Sequence, residues 1–298
     1  MPETPSCPCP ICQSEGFDAG QFLDGLLDDM DALVVAADPL EAEVAGATIL
    51  STLTIAADQT GMDADLLTHV LIGGFIPALR EAAGAEALAM LFALGSVADG
   101  AVAAAAAAAA DQLTQAGIAS PAWAAELAVP VTTNSCWRFQ NPGGTEEVLV
   151  ASFTRAGRSH AMMLHCDLLD CGAATEITLI EPDELPEALA LLRIASTWDT
   201  GDAGGVVTED TLDAAEWRRH VENAIDSRAV HDETDGFFLD GFDPGKFEIE
   251  FDADDADEPD AEEPDLVRYP ALVLLLRARL ATMPASPKPK PLHGAHIG

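Results

Sequence analysis

Three of the six cysteines, Cys7, Cys9 and Cys12, fall within six positions in the run CPCPIC. The pair Cys9-Pro-Ile-Cys12, followed by Gly16 and Phe17, has the spacing of a metal-binding knuckle. Two thiolates separated by two residues can grip one zinc ion from a tight turn, but a tetrahedral site needs four ligands. No second CxxC exists in the chain. The other ligands must come from His160, His165, Cys166 and Cys171, which cluster within twelve residues.

If residues 159–167 form a strand, His165 and Cys166 point to opposite faces, so at most one of them serves a given ion. His160 shares the face of Cys166 but lies ~20 Å away along the strand. The spacing therefore predicts a zinc set of Cys9, Cys12, Cys166 and Cys171, with Cys7 as a substitute. Two other readings stay open. Prolines at 2, 5, 8 and 10 favour an extended arm with free thiols and a buried Cys166. A CxC or CxxC can also be a redox pair, although the βαβ context of a thioredoxin-type motif is missing.

Other chemistry finds less support. There is no GxSxG, HExxH or P-loop, and the acidic runs lack the glycine and glutamate positions of an EF-hand. His69 lies in an apolar helical stretch and reads as a core residue. His220, beside Arg218 and Arg219, reads as part of a polar face. With no set of residues meeting the geometric roles of catalysis, the expected function is non-enzymatic, through contacts with an unidentified protein partner and with a structural zinc. The alternative is a redox-active or enzymatic protein using the N-terminal cysteines.

The elements that must position these residues follow from periodicity. Residues 1–17 form the Cys/Pro-rich arm. Residues 18–118 read as an alanine-rich helical region. Within it, Asp38-Pro39 starts one helix, and Asp63 or Asp65 starts another that bends at Gly73-Gly74 and Pro77. Residues 85–116 form one helix or a pair, stopped by Gly117. From 119 to 283 the pattern is α+β. Runs at 136–140, 147–154, 159–167 and 173–180, with turn signals at Asn141–Gly144 and Ala156-Gly157, predict a small antiparallel sheet of three or four strands. C-terminal helices follow at 183–195, from a cap at Thr208, and from Tyr269-Pro270. Residues 252–265 hold nine acidic residues and two prolines and read as a disordered loop. Residues 284–298 read as a disordered tail. The expected fold class is α+β.

Composition narrows the partners. Fifty-one acidic residues against fourteen basic ones give a net charge of −37, which repels nucleic-acid phosphate and anionic lipid. Residues 66–79 and 87–98, the longest uncharged apolar stretches, fall short of the ~18–20 needed to span a bilayer. The N-terminus has neither a basic nor an apolar signal region. A cytoplasmic protein with reduced thiols, and with no nucleic-acid or membrane partner, is expected.

The segments Asp38-Pro39-Leu40-Glu41 and Pro121-Ala122-Trp123, the strand at 159–167 with Gly172, and the phrase Ile180-Glu181-Pro182 are similar to those of a family of uncharacterised actinobacterial proteins. Tyr269-Pro270-Ala271-Leu272 through Arg277-Ala278-Arg279-Leu280 also resembles it. The resemblance covers about residues 38–283, excludes the CPCPIC head, and implies a fold without an assigned activity.

Overall fold

The computed structural model describes residues 27, 30–194, 198, 205–235 and 268–288. Cys7, Cys9, Cys12, the acidic loop at 252–265 and most of the tail lie outside these residues. The chain forms two compact units, the first holding the described residues up to Ala128 and the second those from Val129 to Asp235. The last helix contributes residues 268–275 to the first unit and 276–281 to the second.

The first unit is helical. It comprises α1 (Asp31–Val35), α2 (Pro39–Gln59), α3 (Ala64–Val70), a π-helical turn (Leu71–Phe75), α4 (Ile76–Ala82), α5 (Ala85–Val97), α6 (Gly100–Gln115) and α7 (Ala124–Leu127). The Asp38-Pro39 start is a complete capping box. Asp38 Oδ1 accepts from Leu40 N at 2.9 Å, and Asp38 N donates to Glu41 Oε1 at 3.2 Å. Asp63 caps α3 by accepting from Leu66 N at 2.8 Å.

Where the bend is expected, Gly73-Gly74 lie in the π-turn and Pro77 stands just after it. Pro77 has no N–H to offer the preceding turn, so the ladder widens there. His69 is exposed on α3 rather than buried, because this short helix has no buried residue. The 85–116 segment is a pair of helices split at Ala98-Asp99. They pack closely: a Cβ placed on Gly95 would stand 3.6 Å from that of Ala106. Trp123 closes the core, 1% exposed, with its indole N–H donating to Leu33 O at 2.8 Å.

Helix α2 is the one helix among the described residues long and apolar enough to cross a membrane. Its buried face, including Ala42, Ala45, Ile49 and Leu50, lies in the core of this unit.

The second unit carries an antiparallel sheet of β1 (Thr132–Gln140), β2 (Glu146–Arg155), β3 (Arg158–Asp167), β4 (Ala173–Ile180) and β5 (Thr208–Leu212), in the order β4-β3-β2-β1-β5. Helix α8 (Leu185–Leu192) precedes β5, α9 (Ala214–Asp235) follows it, and α10 (Arg268–Ala281) is last. The α+β class holds, but the sheet has five strands, not three or four. Thr208 lies in β5 and does not cap the following helix; Asp213 caps that helix instead, accepting from Glu216 N at 2.8 Å. The segment TEDTL is polar and too short to alternate visibly. Pairing with β1 makes it a strand.

The turns at 141–144 and 156–157 form as the sequence requires, with left-handed backbone at Gly144, Ala156 and Gly157. One sheet face carries Leu149, Phe153, His160, Leu164 and Cys166. Helix α9 packs across β4, β1 and β2, with Trp217 edge-on to Phe153 at 6.3 Å. The other face carries Phe139, Val148 and Val150, which pack with Leu189 of α8 and with Trp198.

Candidate metal centre

The turn from β3 to β4 is organised by Asp167. Its Oδ1 accepts from Leu169 N at 2.8 Å and from Asp170 N at 3.3 Å, and its carbonyl accepts from Gly172 N at 2.9 Å. Leu168 N anchors the turn to Thr145 O at 2.8 Å. These bonds drive Cys171 and Gly172 into left-handed backbone, with φ of +56° and +71°. Glycine tolerates that region, whereas a residue with a Cβ is strained there by about 1 kcal/mol.

The second half of the site comes from α9. Successive turns of that helix bring Ser227, Arg228 and His231 to the same loop. Ser227 Oγ donates to Cys171 O at 3.5 Å, and Arg228 Nη1 donates to Ala174 O at 3.3 Å. An ion pair to Asp232 at 2.7 Å steadies Arg228. His231 Nδ1 then stands 3.1 Å from Asp170 Oδ2. The potential ligand atoms of Asp170, Cys171 and His231 all lie within 4.8 Å of one another. This is the arrangement of side chains that could hold a metal ion among the described residues. Asp170 is exposed, while Cys171 and His231 are half-buried.

The predicted ligands separate. Cys171 belongs to the group. Cys166 does not: it is 3% exposed, opposite Glu147 in the sheet, and burial and the Glu147 charge push its thiol far above the ordinary range. Such a thiol resists becoming the thiolate that metals bind. Cys9, Cys12 and the substitute Cys7 lie outside the described residues. His160 and His165 fall on opposite sheet faces, and burial lowers the proton affinity of both. Asp170 and His231 were not legible as ligands: they are sixty-one residues apart, and no local spacing pairs a turn aspartate with a helix histidine. The usable hint was the Cys171-Gly172 turn signal.

A second cluster lies where α9 meets β1 and β2. Glu147, 5% exposed, accepts from Arg138 Nε, and His220 Nδ1 lies 3.5 Å from it. Burial pushes Glu147 up, but bonding to His220 and Arg138 outweighs it and holds the carboxyl below its usual range. His220 Nε2 lies 3.6 Å from Glu216, which also pairs with Arg219 at 2.6 Å and Lys288 at 3.1 Å. The hydrogen bonds from Arg219 and Lys288 hold Glu216 down to about 2. The His220–Glu147 contact ties the helix to the sheet.

Strain at Cys171 gives a direct expectation. Cys171→Gly should stabilise the metal-free protein by about 0.5–1 kcal/mol, because glycine accepts φ of +56° without the Cβ clash. Urea unfolding without metal measures it. A lower midpoint in the glycine variant would show that the turn imposes no such cost.

Comparison with known proteins gives no match: no family model, no curated protein and no solved structure matches this chain.

Proposed function

We propose that this is a non-enzymatic protein that acts through protein contacts and holds a zinc ion at Asp170, Cys171 and His231. The observation that carries the reading is the convergence of a carboxylate, a thiol and an imidazole within 4.8 Å on a strained turn and a helix. Sulfur and nitrogen donors favour zinc over calcium or magnesium, which take oxygen ligands. A metal there joins the β3–β4 turn to α9, linking parts of the chain that are distant in sequence. The cytoplasmic setting expected from the sequence belongs to the proposal, since a reducing compartment keeps Cys171 available as a ligand. So does a protein partner rather than nucleic acid or a membrane, given the charge of −37. The resemblance to the actinobacterial proteins brings no activity to this reading.

The test is titration of the full chain with Zn²⁺ in competition with a chromophoric chelator, in a background carrying Cys7→Ser, Cys9→Ser and Cys12→Ser. Binding should persist in that background. It should weaken by about tenfold or more when Cys171→Ser or His231→Gln is added. Binding that vanishes with the three N-terminal cysteines and ignores His231→Gln would move the zinc to the arm. Absence of zinc binding in the unsubstituted protein would end the proposal.

A further inference from the structure

Position 171 carries a cysteine where the backbone favours glycine. Cys171 has φ of +56°, and Gly172 beside it has φ of +71°. A Cβ strains that backbone and a glycine does not, so what the residue contributes is its sulfur. That sulfur lies within 4.8 Å of potential ligand atoms on Asp170 and His231. Among the described residues, the thiols of Cys136 and Cys166 are buried, whereas Cys171 is half-buried. Burial, with the charge of Asp213 adding to it, pushes the Cys136 thiol up to about 12. Burial and Glu147 push Cys166 far above the ordinary range. Oxidants attack the accessible thiolate, so these two thiols are protected. The turn that bears Cys171 is open by comparison: Asp170 is exposed, and Leu169 is 79% exposed.

We infer that Cys171 is a peroxide-sensitive modification site whose oxidation releases the zinc. The inference rests on the zinc reading above. A metal-bound thiol is held as the thiolate, the form that reacts. Its sulfur attacks one oxygen of hydrogen peroxide. An S–O bond forms, the O–O bond breaks, and hydroxide leaves to become water with a proton from solvent. The sulfur loses two electrons, the peroxide gains them, and Cys171 becomes a sulfenic acid. The site thereby loses its thiolate donor, and zinc passes to any competing chelator. The link between the β3–β4 turn and α9 is then left to the Ser227 bond to Cys171 O and the Arg228 bond to Ala174 O. A small-molecule thiol reverses the step. It condenses with the sulfenic acid, releasing water and leaving a mixed disulfide. A second thiol then attacks that disulfide and frees Cys171.

The experiment uses the full chain carrying Cys7→Ser, Cys9→Ser and Cys12→Ser, loaded with Zn²⁺ and treated with hydrogen peroxide beside a chromophoric chelator. Zinc should reach the chelator in step with sulfenic acid at Cys171, trapped with dimedone and located by peptide mass spectrometry. Cys171 should be labelled at least about tenfold faster than Cys136 or Cys166. An untrapped sample given dithiothreitol and fresh Zn²⁺ should bind the metal again. Three results would each overturn the inference and leave the zinc reading standing: zinc that stays bound after Cys171 is oxidised, zinc that leaves while Cys171 is unlabelled, or labelling that favours Cys136 or Cys166. A chain that binds no zinc before peroxide is added ends the zinc reading itself, and this inference with it.

Discussion

Gly46→Ala is expected to destabilise the helical unit by about 2–3 kcal/mol and to lower its thermal midpoint by roughly 8 °C or more. Gly46 lies on the buried face of α2 against α5. A Cβ there would stand 2.4 Å from Ala93 O, 2.5 Å from Ala93 C and 3.0 Å from Leu94 N. All three are backbone atoms, so no side chain can rotate away. The helices must separate, and the packing around Ala42, Ala45 and Ile49 opens with them. The sign carries the test, because alanine is ordinarily better than glycine inside a helix by about 1 kcal/mol. Gly73→Ala, where nothing lies within 4 Å, is the control and should be neutral or mildly stabilising. Calorimetry of the two variants decides it; a Gly46→Ala protein as stable as the parent would show that α2 and α5 are not in backbone contact.

The second large effect is on acid stability. His160 is 6% exposed, stacked on Phe153 at 5.4 Å, and its Nε2 accepts the Nε–H of Arg279, itself 1% exposed, at 2.9 Å. An imidazole that accepts at Nε2 is neutral and carries its proton on Nδ1. Burial, then the charges of Arg279 and Arg155, push its pKa from 6.5 down to about 3. Between those values the unfolded chain binds a proton that the folded one refuses. Stability is therefore full above about pH 6.5 and falls as pH drops toward 3, by up to about 1.4 kcal/mol per pH unit from this residue. Glu147, with its lowered pKa, adds acid sensitivity of the same sign. The measurement is thus a difference: His160→Gln keeps a side-chain acceptor for Arg279 but cannot titrate. Urea unfolding at intervals from pH 7 to 4 should show a shallower decline in the glutamine variant. Equal slopes would mean that His160 is protonated in the folded protein.

Much of the fold was legible because its signals are local. The Asp38-Pro39-Leu40-Glu41 start, the caps at Asp63 and the turns at Asn141–Gly144 and Ala156-Gly157 each act within a few residues, and all appear where the spacing puts them. Alternation exposed four strands for the same reason. β5 stayed hidden because TEDTL becomes a strand only by bonding to β1, some seventy residues earlier in the chain. His69 misled in the opposite direction. Its apolar neighbours suggested burial, but burial depends on what packs over a helix, and α3 carries no buried residue.

The candidate site divides along the same line. Cys171 could be singled out from the sequence as a thiol beside a glycine in a turn. Cys166, five residues earlier, looked equally able, and only its burial in the sheet opposite Glu147 separates the two. The sequence by itself determined the α+β class, the helix starts at Asp38 and Asp63, the hairpins and the acidic charge. Each depends on composition or on contacts a few residues long. Tertiary structure alone decided which thiol meets an imidazole. That meeting requires α9 to pack across the sheet, so that Ser227 and Arg228 reach the β3–β4 turn and His231 arrives beside Asp170. Apolar burial drives such packing and is blind to spacing along the chain, so no short-range pattern could record it.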